Sequence, residues 1–161
     1  MEKIDPLNQV KAFHDTFGHP VLSNPQMPAA KRAELRVSLL QEELNELKEA
    51  IEANDLVEVA DALCDIQYVL SGAVLEFGMG DAFKKLFDEV QRSNMSKTCA
   101  SEAEAIATQK HYMDKDGTES YIVQKGEFWL VYRSSDNKTL KSVNYSPADL
   151  KSILIEDKAV I

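Results

Sequence analysis

Residues 39–77 contain two helical patterns, each carrying acids among apolar residues, with a break between them too short for anything but a hairpin. The first reads Leu39-Leu40-Gln41-Glu42-Glu43-Leu44-Asn45-Glu46-Leu47, and Asn54-Asp55 supplies the polar break. The second reads Glu58-Val59-Ala60-Asp61-Ala62-Leu63-Cys64-Asp65-Ile66. At about 100° per residue, Leu40, Leu44, Leu47 and Ile51 share one stripe of the first helix. Glu43 lies on the edge of that stripe and Glu46 one turn further on, while Glu42 sits further round and Glu49 opposite. In the second helix Glu58, Asp61 and Asp65 share one face, and Val59, Leu63, Ile66, Leu70 and Val74 cover most of the rest. A helix apolar almost all round is a buried one. The pattern therefore predicts a buried second helix with three acids on one stripe.

Three carboxylates in such a helix repel one another, and each is costly to bury unpaired. No basic residue lies between Lys48 and Lys84 to neutralise them. A divalent cation removes both difficulties. Hard cations such as Mg²⁺ take oxygen ligands, which suits a carboxylate set without His or Cys. The competing reading, for Glu42, Glu43, Glu46 and Glu49, is an ordinary solvated helix face.

The run Glu42-Glu43-x-x-Glu46 followed by Glu58-x-x-Asp61 resembles the signature of the all-α nucleotide pyrophosphohydrolases. That superfamily includes the MazG-type enzymes, the dimeric dUTPases and phosphoribosyl-ATP pyrophosphohydrolase. The resemblance covers residues 7–113, with eleven residues between Glu46 and Glu58, at the short end of the family's spacing. A second match is Arg92-Ser93-Asn94-Met95-Ser96-Lys97, which is similar to the segment after the fourth helix in some members, where Asn and Lys meet the substrate phosphates.

The resemblance implies a mainly α fold, a MazG-like helical bundle over residues 1–116; beyond it, and outside the resemblance, the residue pattern at 117–161 reads as a small β-rich appendage of open role, a meander plus a helix. It implies a Mg²⁺-dependent nucleoside triphosphate pyrophosphohydrolase, with Mn²⁺ as the alternative ion, giving the monophosphate and pyrophosphate in a house-cleaning or dUTPase-like role. Helical geometry and motif together assign Glu43, Glu46, Glu58 and Asp61 as metal ligands. Glu42 and Glu46 are the catalytic candidates, with Glu42 or Asp65 orienting the attacking water or supporting the ligands from behind. Asn94 and Lys97 would hold the outer phosphates, and Asp65, Phe13 and Phe17 complete the substrate-binding candidates. Four to five helices are few to enclose such a site, and related enzymes pair their helices, so a homodimer or homotetramer is expected. Two other readings compete. One is hydrolysis of phosphoribosyl-ATP, disfavoured by the extra β segment and the absence of a paired cyclohydrolase domain. The other is a non-catalytic helical interaction module. Neither the preferred base nor the phosphorus attacked can be read from spacing.

A net charge of −9 argues against a nucleic-acid binder, because phosphate backbones demand a basic face. A nucleotide substrate is not excluded, since bound cations reverse the local field. Cys64 and Cys99 do not form a disulfide framework, and Cys64 falls in the helix expected to be buried. This usage suits a reducing cytoplasm. The N-terminus shows no leader pattern, and no apolar run reaches membrane-spanning length.

Asp5-Pro6 reads as cap and first position of a helix in which Leu7, Val10, Phe13 and Phe17 recur, ended by Gly18. Both Phe rings read as core, or else as part of a base pocket, and His14 lies beside the stripe. Residues 18–28, with three prolines, form either a closing loop or a stiff connection. Arg32 and Arg36 read as solvation for the acidic helix that follows. Asn54 or Asp55 should cap the second motif helix, and Gly78-Met79-Gly80 should end it. Asp81 should cap a run with Phe83, Leu86, Phe87 and Val90 on one face. Ser101-Glu102-Ala103-Glu104 is a capping box for a helix ending at Asp116-Gly117. Residues 120–124, 127–133 and 139–143 read as a three-stranded meander, and Ser146-Pro147 as the start of a final helix. Trp129 should pack against the helices or a partner subunit.

Overall fold

The computed structural model describes residues 3–156 of the chain, so Met1 and Glu2, within the N-terminal segment read for a leader, lie outside the described residues. Six helices and one two-stranded antiparallel sheet make up the described structure. In chain order these are α1 (Pro6–Phe17), α2 (Ala30–Glu52), α3 (Leu56–Glu76), α4 (Phe83–Met95), α5 (Glu102–Asp116), β1 (Ser120–Lys125), β2 (Phe128–Arg133) and α6 (Leu150–Glu156). Among the described residues no helix is long and apolar enough to cross a membrane. Two compact units arise from this order, one of them Lys85–Ser152 and the other the remainder of the described chain.

In the first unit α2 and α3 form the antiparallel hairpin, and α1 packs on α3. The turn follows from two residues. Asn54 takes a left-handed conformation (φ 54°), which Asn tolerates better than most side chains. Asp55 caps α3, its carboxylate accepting from the backbone N–H of Val57 at 3.0 Å and of Glu58 at 3.2 Å. At the other end Gly78 has φ 69°, and a Cβ there would lie 1.9 Å from the Asn24 carbonyl oxygen. The proline-rich connection is the stiff one. Leu22 N–H bonds the Leu75 carbonyl at 3.0 Å and Gln26 N–H the Phe77 carbonyl at 3.1 Å.

Burial departs from the sequence expectation. In α3 only Ala62 and the last turns, from Ser71 to Glu76 with Ala73 half-buried among them, are buried, while Val59, Ile66, Gln67 and Val69 are half-buried. Leu56 is 80% exposed, Val57 75% and Leu63 52%. Cys64 is likewise exposed, and both cysteines are free. The apolar coat of α3 is thus wider than one α2–α3–α1 contact can cover. In α1 the buried side chains are Val10 and His14, whereas Phe13 and Phe17 are exposed, correcting the core reading of the two rings. Asp5 makes no capping bond and instead accepts from the Asn8 amide at 2.7 Å.

The second unit has its own core of Cys99, Ala105, Val131 and Leu140, with Tyr112, Ile122 and Trp129 packed against it. Half of the capping box forms, Ser101 Oγ accepting from Glu104 N–H, while the Glu104 carboxylate reaches past the cap residue to accept from Ala100 N–H. The hairpin pairs Ser120 with Arg133 through Lys125 with Phe128. The third predicted strand is absent among the described residues; only a single bridge joins Tyr132 to Thr139. Side chains hold that segment instead. Val143 N–H bonds Thr108 Oγ1 at 3.1 Å, Lys141 N–H bonds Tyr112 Oη at 3.3 Å, and Ser142 Oγ donates to Glu104. The final helix opens at Leu150, not at Ser146-Pro147, with Asp149 accepting from Ser152 N–H at 3.1 Å.

Candidate active site

The hairpin brings the acids of α2 against those of α3. Glu43 is half-buried, and burial first, then the charges of Asp65, Glu46, Glu42 and Asp61, push its carboxyl above the usual carboxylate range. No Lys or Arg forms an ion pair with any of these five among the described residues. Glu58 shares with Glu46, Glu49 and Asp55 a cleft of about 410 Å³ beside the hairpin's turn.

Glu42, Glu46, Glu58, Asp61 and Asp65 are exposed, which corrects the expectation of acids sunk in an apolar helix. Burial therefore forces no counter-ion on these five; at Glu43 burial and like charge both disfavour the ionised carboxyl. Among the described residues no three His, Cys, Asp or Glu side chains are gathered closely enough to grip a metal as they are oriented. The donor chemistry still fits a hard cation, being all oxygen, mutually repelling and without a basic partner.

An open cleft of about 860 Å³ runs along α2 beside Glu42, with Met27, Val37 and Phe77 on its apolar wall and Gln41 and Asn45 on its polar edge. Phe13 and Phe17 do not line it. They belong to an exposed aromatic group in which Phe13 lies 4.4 Å from Phe17, stacks on His19 at 5.7 Å and meets Tyr68 edge-on at 5.7 Å.

The arginines before the motif do not solvate it. Arg32 and Arg36 both turn to Glu76, whose side chain is fully buried. Arg36 Nε donates to Glu76 Oε1 at 2.9 Å, and Arg32 Nε to Oε2 at 3.0 Å. Burial alone would raise the Glu76 carboxyl, but the hydrogen bonds of Arg32 and Arg36 outweigh it and hold it below the usual range. His14 completes the cluster. Its Nδ1 lies 2.9 Å from the Pro20 carbonyl, and its Nε2 lies 3.3 Å from Arg36 Nη2. Sequence reading missed this cluster, although Glu76 in an otherwise apolar helix end was its signal.

Asn94 lies in the last turn of α4, and Lys97 just beyond it donates to Asn94 Oδ1 at 2.8 Å. Both belong to the second unit.

The family described as phosphoribosyl-ATP pyrophosphohydrolase matches residues 10–94, more than half of the chain. The chain belongs to that family. A phosphoribosyl-ATP pyrophosphohydrolase family member is a MazG-like all-α protein and an enzyme of the nucleotide pyrophosphohydrolase type. The family match spans every motif acid and Asn94, and ends before Lys97. The chain is also similar to an uncharacterized protein of Acanthamoeba polyphaga mimivirus, 25% identical in an alignment that covers 95% of this chain and 97% of that one.

Proposed function

We propose that this family member hydrolyses a nucleoside triphosphate to the monophosphate and pyrophosphate. The observation that carries the reading is Glu43, a half-buried carboxyl pressed by four others with no basic residue in attendance. Such an arrangement is unfavourable for the empty protein and favourable once cations are held. Glu43, Glu46, Glu58 and Asp61 are the residues to hold Mg²⁺ or Mn²⁺, ions that would neutralise the phosphates and acidify a bound water. Glu42 and Asp65, flanking this set, orient the attacking water by accepting its hydrogen bonds. Asn94 and Lys97 bind phosphate oxygens through an amide donor and a point charge. The exposed faces of Phe13 and Phe17 offer a stacking surface for a base.

Phosphoribosyl-ATP is the second reading, favoured by the name of the matching family. Incubation with Mg²⁺ and a panel of common, deoxy and oxidised nucleotides, dUTP and phosphoribosyl-ATP, followed by pyrophosphate assay, separates the two. Release from no substrate would remove the enzymatic reading and leave a helical interaction module. We further propose a homodimer or homotetramer, supported by the exposed apolar side chains Val37, Leu56, Val57 and Leu63 on the hairpin. A monomer in sedimentation would contradict it.

A further inference from the structure

The segment after β2 carries no secondary structure up to α6, yet it is stitched to the end of α4. Tyr145 Oη lies 3.0 Å from Ser93 Oγ, one residue before Asn94. Ser146 N–H donates to Ser96 Oγ at 3.0 Å, and Arg92 donates to the Pro147 carbonyl at 3.0 Å. On its other side the same segment is held to α5 through Ser142, whose hydroxyl donates to Glu104 and accepts from Asn144 N–H at 3.0 Å. A chain fixed on both sides presents its side chains in fixed places.

Lys141 is presented this way. Its ammonium sits 4.2 Å above the centre of the Tyr145 ring, a seat that orients a cation without neutralising it. Lys141 is exposed, and among the described residues it forms no ion pair with a carboxylate. Lys97, half-buried and three residues from Asn94, likewise forms no ion pair with a carboxylate among the described residues. Both charges bear on one phenol: the hydrogen bond with Ser93 foremost, then Lys141 and Lys97, hold the Tyr145 hydroxyl below its ordinary value. In a chain of net charge −9, two lysines without carboxylate partners at one spot make a local anion-attracting field.

We infer that Lys141, seated on Tyr145 and aligned by the Ser93 contact, is a second phosphate-binding cation beside Asn94 and Lys97. The ligand class is a polyphosphate, either the chain of the nucleotide substrate or the pyrophosphate product. The inference rests on the nucleotide pyrophosphohydrolase reading for its substrate. It gives the C-terminal segment a role that the motif acids do not supply.

Full-length wild type, Lys141→Ala, Lys141→Arg and Tyr145→Phe are compared in two measurements. One is steady-state hydrolysis of the best nucleotide from the panel. The other is calorimetric titration with inorganic pyrophosphate in magnesium buffer. Lys141→Ala should raise KM about tenfold with kcat within about twofold, the sign of lost uniform binding. It should weaken pyrophosphate affinity by a similar factor at an unchanged melting temperature. Lys141→Arg should restore most of both, and Tyr145→Phe should show an intermediate loss. Wild-type KM and pyrophosphate affinity in Lys141→Ala would overturn the inference while leaving the proposed activity standing. If wild type hydrolyses nothing, the proposed activity fails and the titration alone decides. A loss of pyrophosphate affinity in Lys141→Ala then sustains the anion site, and no binding by wild type removes it.

Discussion

Arg36 and Glu76 are buried partners, with Nε and Nη2 of the guanidinium both donating to the same carboxylate oxygen. The Glu76 side chain is inaccessible and that of Arg36 only 9% exposed, so neither charge has water to fall back on. Removing one partner strands the other, at a cost of about 3–5 kcal/mol. Arg36→Ala and Glu76→Ala should each lower the melting temperature by roughly 10 °C. Arg32→Ala, whose side chain is 30% exposed, should cost much less. Equal losses for Arg32→Ala and Arg36→Ala would contradict this ranking.

The same cluster makes stability depend on pH. Arginine can only donate, so the Nε2 of His14 facing Arg36 carries the lone pair, and the ring is neutral with Nδ1–H on the Pro20 carbonyl. Burial first, and the Arg36 charge as well, hold the His14 pKa below its ordinary value of 6.5. The unfolded ring takes a proton near 6.5, the folded ring only at lower pH. Between those values the unfolded state binds more protons, so stability falls as pH drops. Glu76 acts in the same direction further into acid, since the stability from its lowered pKa is lost as pH falls through the folded value. The melting temperature should be flat above about pH 7 and decline below about 6.5. His14→Gln should remove the first part of that slope. An unchanged slope in His14→Gln would exclude the ring as its source.

Repulsion at Glu43 is a stability cost to the protein without divalent ions. Glu43→Gln should melt about 2 °C higher than wild type without divalent ions, roughly 0.5–1 kcal/mol. Millimolar Mg²⁺ should raise the wild-type melting temperature and raise that of the variant less. Equal shifts in both proteins would take Glu43 out of the cation site.

Gly78 should not accept a side chain. Its positive φ and the Asn24 carbonyl in the place of a Cβ act together. Gly78→Ala should destabilise by more than about 1 kcal/mol, since the wrong residue at a left-handed position already costs that much. A denaturant midpoint equal to wild type would show that the residue 24 backbone yields.

The acid hairpin was legible because period, break and cap residue agree: the α2–α3 turn falls at Asn54-Asp55, and Asp55 makes both capping bonds. What each face touches was not legible. Leu63 and Leu70 obey a burial pattern that the described chain leaves uncovered, and periodicity does not say whether a neighbour lies in the same chain. His14 was hidden because polar residues on an apolar stripe are read as its edge, whereas here Arg36 and the Pro20 carbonyl satisfy its two ring nitrogens. The third strand failed because β propensity at 139–143 cannot report that side chains from α5 would replace the backbone ladder. The β-rich segment's link to the Asn94 turn runs through Tyr145 and Ser93, a contact with no sequence signature.

The account stands on the carboxylates of α2 and α3 turning over a nucleotide together. The most direct measurement is pyrophosphate release per monophosphate formed, at saturating Mg²⁺, by wild type beside Glu58→Gln and Asp61→Asn, with folding checked by circular dichroism. The account predicts one pyrophosphate per monophosphate for wild type, and a loss of at least about a hundredfold in both variants at unchanged helix content. Undiminished turnover in either variant, or orthophosphate in place of pyrophosphate, would contradict it.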